Sequence, residues 1–236
     1  MSIAAIPLIS SIVSLLFALT VLDQYFARRK SYQLVWAIGL FMFFIGAAAE
    51  FWAEAVGINL ATFRLWYLFG AILVAAYLAM GTIYLLIPRR LAHIIMTILL
   101  VISLYSAFSV FTTSVDLSSL KHLSGSVLPE SVRALSRYLS YTAALVLVGG
   151  ALYSSWVFMR KKIQPHRVSS NIMIAIGVLL PAIGGGIMRA AGNYRLFYIF
   201  ELAGIIIIFL GFLRSGEVFG YPRIPLIRGF KKVSTD

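Results

Sequence analysis

Residues 195–215 read RLFYIFELAGIIIIFLGFLRS. Between Arg195 and Arg214 a single charged residue, Glu201, interrupts the apolar run. A helix rises 1.5 Å per residue, so a run of this length covers the roughly 30 Å hydrocarbon core of a bilayer. Working back from this stretch, comparable apolar runs occupy about 6–27, 32–54, 62–87, 91–112, 131–159 and 168–190. The expected fold is therefore an all-α integral membrane bundle of seven transmembrane helices.

Composition agrees with that reading. The 236 residues are 61% hydrophobic and 12% charged, with mean hydropathy +0.95. Soluble domains carry about a quarter charged residues. Seven spans nearly exhaust the chain, so we expect one transmembrane domain over 1–217 and a short basic tail over 218–236. The tail contains Pro222 and Pro225 and reads as a membrane-surface segment. The first run is not read as a secretory signal, because its basic cluster Arg28–Lys30 follows the apolar stretch.

The net charge of +12 would point to nucleic acid in a soluble protein. Here its distribution sets topology instead, and no nucleic-acid partner is expected. Alternate loops on one side carry fourteen Lys and Arg residues, and those on the other side carry six. The richer side is expected to be cytoplasmic, with the N-terminus outside and the C-terminus inside. The four tryptophans, Trp36, Trp52, Trp66 and Trp156, fall near span ends, as in an interfacial aromatic belt. The expected location is the cell (plasma) membrane, multi-pass.

The chain also appears twice over in outline. Ala37-Ile38-Gly39 and Ile45-Gly46 in the second span match Ala175-Ile176-Gly177 and Ile183-Gly184 in the sixth. Phe63-Arg64-Leu65-Trp66-Tyr67-Leu68-Phe69 opens the third span, and Tyr194-Arg195-Leu196-Phe197-Tyr198-Ile199-Phe200 opens the seventh. Phe26-Ala27-Arg28-Arg29-Lys30 and Phe158-Met159-Arg160-Lys161-Lys162 close the first and fifth. These matches predict a parallel 3+1+3 repeat: about 6–87, a linker helix at 91–112, and about 131–215. Chance similarity of apolar runs is the competing reading. A true duplication would favour a site between the repeats.

This plan resembles the SWEET and PQ-loop sugar carriers and the microbial opsins. The resemblance covers the whole chain but is architectural. No Pro-Gln pair stands in the first or fifth span; Gln164-Pro165 is reversed and lies in a loop. The seventh span has no lysine, so a retinal Schiff base has no attachment point. The chain is also similar to prokaryotic seven-helix membrane proteins generally, which implies no activity.

Charge inside a membrane is costly and marks candidate sites. Glu50 and Glu54 lie toward the outer end of the second span. Arg64 opens the third, Arg189 ends the sixth, Arg195 opens the seventh, and Glu201 lies deeper. Together they read either as a vestibule for a small polar ligand or as structural ion pairs with snorkelling arginines. Glu201 is the leading candidate, since Gly70 holds its repeat-equivalent place; Arg64 or Arg189 is its expected partner. Tyr67 and Tyr198 belong to the same candidate set. Pro181, followed by Gly184-Gly185-Gly186, reads as a gating hinge or as a close helix contact. Asp23 is expected to pair with the basic cluster beside it.

Several chemistries are not expected. Without cysteine there is no thiolate chemistry. His93, His122 and His166 fall in or beside loops, which disfavours paired haem ligation and an intramembrane metal hydrolase. No cofactor and no enzymatic activity are expected. The leading functional reading is a small-solute carrier or channel with its site between the repeats. The alternative is a non-catalytic membrane subunit or sensor that binds lipid or a partner membrane protein, or a second copy of itself.

Overall fold

A computed structural model describes residues 3–118, 120–161 and 165–216, with side chains 165, 166, 189, 190 and 216 left aside. The expected tail at 218–236 lies outside the described residues. Seven helices are long and apolar enough to cross a membrane. They are α1 Ala5–Arg28, α2 Ser31–Ala55, α3 Leu60–Leu86, α4 Arg89–Thr112, α5 Glu130–Arg160, α6 Pro165–Ala191 and α7 Tyr194–Gly216. Every boundary falls within a few residues of the expected run. No strand occurs among the described residues.

Local chemistry sets the ends. Arg29 takes a left-handed conformation (φ 52°) and returns its N–H to the Tyr25 carbonyl, closing α1. The Asn59 side chain accepts from the Thr62 amide at 2.9 Å and starts α3. Ile87 is extended ahead of Pro88, which ends α3 and opens α4. Gly192 (φ +64°) ends α6, and Asn193 caps α7 by accepting from the Leu196 amide.

Six helices form a closed ring in the order α1, α2, α3, α5, α6, α7, with α7 returning to α1. α4 stands outside it, against α3, and touches α5 only slightly. One side of α4 is bare apolar surface, including Ile94, Ile98, Val101, Leu104 and Phe108. That exposure would be untenable in water and suits hydrocarbon. Serines and threonines within the helices largely bond their own preceding turn, as Ser10 does to the Ile6 carbonyl and Ser106 to the Ile102 carbonyl. This satisfies their hydroxyls in apolar surroundings.

α3 contains the main irregularity. Residues Trp66–Leu73 form a π-helical segment. Such a segment widens the turn and takes up an extra residue. α5 supplies the compensating donors, with Ser136 and Ser140 hydroxyls directed at the Ala71 carbonyl at 2.6 and 3.4 Å. α2 meets this segment at very short range, because Gly46 lies directly against Gly70.

Candidate functional site

Three carboxyl groups gather at one end of the ring, here the acidic end. Glu50 and Glu54 come from the last turns of α2, and Glu201 from the second turn of α7. Glu50 is 3% exposed and Glu201 is 8% exposed. Glu50 Oε1 accepts from Trp66 Nε1 at 2.8 Å, a bond aimed by the π segment of α3. The Glu201 carboxyl stands within hydrogen-bonding reach of Glu50. Each keeps a buried oxygen, Oε2, toward which no donor points among the described residues.

The pairing departs from expectation. Arg64 does not reach Glu201. It donates to the Thr113 carbonyl at 3.3 Å and lies over the Phe111 ring, so it serves the C-terminus of α4, where cations are favoured. Arg195 is exposed. The Arg189 side chain lies outside those described. Arg64 is thus turned away from the carboxyls, which face each other, and among the described residues Asp23 forms no ion pair within 4 Å.

Glu54 adds a second layer. Its Oε1 accepts from the Tyr198 hydroxyl at 2.8 Å and lies 2.8 Å from His122 Nδ1. The His122 ring stacks on Tyr194, with centroids 4.4 Å apart. Tyr198, a candidate from the sequence, stands beside these carboxyls, whereas His122 was not foreseen. It arrives on the segment between α4 and α5, which packs down over the acidic end. Leu123 and Leu128 of that segment are buried in the core around Phe63, Trp66 and Tyr67. Gly125 lies against the Tyr67 ring, where a Cβ would come within 2.7 Å of the ring edge. Tyr67, stacked on Phe63, is thus the seat of this cover.

Pro181 lies inside α6 and abuts Gly204 of α7. Gly184 likewise meets Phe197 and Phe200, while Gly185 and Gly186 face open space. Close helix contact accounts for Pro181 and Gly184.

No protein family, no curated protein and no solved structure matches the chain. Among the described residues no three His, Asp or Glu side chains are grouped to hold a metal ion. The chemistry of the site therefore rests on its own geometry.

That geometry carries a direct test. Trp66→Phe removes the donor to Glu50 and keeps most of the ring. An unpaired buried acceptor costs about 1–3 kcal/mol. The thermal midpoint of the purified variant should fall accordingly. An unchanged midpoint would show that this bond contributes nothing.

Proposed function

We propose that the chain is a small-solute carrier of the cell membrane, built from two three-helix halves, α1–α3 and α5–α7, with its site where the halves meet. The observation that carries this reading is the Glu50–Glu201 pair. One carboxyl comes from each half, and both are buried in helices apolar enough to span a membrane. Burying two acids together is expensive without a use for them. The acidic lining, with Trp66 and Tyr198 beside it, suits a proton or a small organic cation.

The packing supports the doubling. Exchange of halves turns the α1–α2 contact into α5–α6, α2–α3 into α6–α7, and α3–α5 into α7–α1, and all six contacts occur. The glycines correspond as well. Gly39 meets Leu78 as Gly177 meets Ile208, and Gly46 meets Gly70 as Gly184 meets Phe200. Leu78 to Ile208 and Gly70 to Phe200 share one spacing, while Arg64 to Arg195 is one residue longer. The π segment of α3 begins just after Arg64, and one inserted residue accounts for the difference. In that register Ala71, rather than Gly70, is the counterpart of Glu201. The fourteen-to-six charge asymmetry supports placing the basic end in the cytoplasm and the acidic end outside.

The test uses purified protein in sealed vesicles that contain a pH-sensitive dye. Small organic cations and neutral polar solutes are added one by one under an imposed proton gradient. At least one should drive proton movement beyond that in protein-free vesicles. If none moves, the carrier reading fails. The subunit or sensor reading then stands, favoured by the bare apolar face of α4.

A further inference from the structure

A cavity of about 330 Å³ opens at the opposite, basic end of the bundle, lined by Lys30, Ser31, Tyr32, Tyr84, Leu85 and Arg89. Two chain reversals build it. Arg29 turns left-handed and Lys30 is extended, so α2 begins at Ser31. Ile87 is extended and Pro88 follows, so α4 begins at Arg89. The α1–α2 and α3–α4 links thereby stand on two sides of one depression.

Its lining has one chemical character. Lys30 and Arg89 bring positive charge, and Ser31, Tyr32 and Tyr84 bring hydroxyl groups. No carboxylate lines the cavity. Neither Lys30 nor Arg89 forms an ion pair within 4 Å among the described residues. The first turns of α2 and α4 contain no acidic residue and have no side-chain cap, so their amide dipoles add to the positive field. The Tyr84 hydroxyl is held 2.9 Å from His93 Nδ1, which fixes the phenol at the rim. Two cations, three hydroxyls and no acid make a receptor for a compact oxyanion.

Position narrows the source of that anion. The cavity lies where α1, α2, α3 and α4 all reach the ends of their membrane-length spans, which is headgroup depth. Its one apolar wall, Leu85, is exposed, as are Leu86 next to it in α3 and Leu91 in the first turn of α4. That surface gives an acyl chain a path down the outside of α3 and α4. Basic pockets between helices at this level suit acidic lipid headgroups.

We propose that this cavity binds a phosphate ester, the headgroup of an anionic phospholipid, with Lys30 and Arg89 on the phosphate and the Ser31, Tyr32 and Tyr84 hydroxyls around it. The lipid ties the α1–α2 link to the α3–α4 link. This site is independent of the acidic end and of any transport activity.

The experiment is a titration of delipidated, detergent-purified protein, followed by tryptophan fluorescence and thermal unfolding. Short-chain phosphatidylglycerol should bind at least tenfold more tightly than short-chain phosphatidylcholine. Lys30→Gln with Arg89→Gln should weaken phosphatidylglycerol binding at least tenfold, while Arg133→Gln at the other end leaves it unchanged. Glycerol phosphate should bind far more weakly than the lipid. Equal binding of the two lipids, or full binding by the double variant, overturns the site. Glycerol phosphate binding as tightly as the lipid overturns the lipid as its source. If the double variant does not fold, Lys30→Gln alone carries the same expectation in reduced degree, and full binding by it overturns the proposal.

Discussion

Glutamine at position 201 is expected to stop solute-driven proton movement and leave the bundle folded. Glu201→Gln preserves the shape of the side chain. Its amide can donate to Glu50 Oε2, which no donor approaches among the described residues of the parent structure. The local hydrogen bonding is therefore kept or improved, and the thermal midpoint should hold or rise. What disappears is the acid itself. A glutamine neither carries negative charge nor exchanges a proton, so under the proposed carrier function the pair can no longer bind a cation and release it. Vesicles with equal amounts of protein should show a rate at least about tenfold lower, equivalent to about 1.4 kcal/mol in the step that uses the acid. Glu50→Gln should behave alike. A variant that keeps the parent rate removes Glu201 from the mechanism. A variant that loses its midpoint but keeps its rate assigns the residue to structure alone.

The second large effect concerns folding. A Cβ at Gly46 would stand 2.8 Å from the Gly70 Cα. The obstacle is backbone, so no rotamer change can clear it. Overpacking against mobile side chains costs about 1–3 kcal/mol, and Gly46→Leu should exceed that range because α2 must move away from α3. The same displacement would break the Trp66–Glu50 bond and open the acidic end. The expected result is little monodisperse protein after purification, with Gly46→Ala intermediate. A Gly46→Leu protein that elutes and melts like the parent would contradict the short contact between α2 and α3.

The seven spans were legible because each needs only length and apolarity, and those properties are written along the chain. The helix ends followed from the ends of the apolar runs to within a few residues, and Pro88, Asn59 and Gly192 show what sets them. The partner of Glu201 was not. Sequence placed Glu50, Arg64 and Glu201 toward the outer side, with Glu201 deeper, but left their direction around each helix open. Arg64 turns away to the end of α4. His122 was harder still. It lies in a segment without periodicity, and its approach to Glu54 depends on how Leu123 and Leu128 pack. Glu54 itself was noted only as a neighbour of Glu50, yet it holds the outer layer together.

α4 was described above as a helix that leans on the ring without joining it. If the two halves run in the same direction, the chain must cross the membrane an odd number of times between them, and a single crossing is the smallest solution. α4 is then a matter of parity: it returns the chain to the starting side so that the second half is not inverted. Such an element needs to be apolar and long enough, and little else. Its bare side, around Ile94, Leu104 and Phe108, should drift freely in sequence, while Arg89 at the cavity and the buried Ala92, Leu99 and Val110 should not.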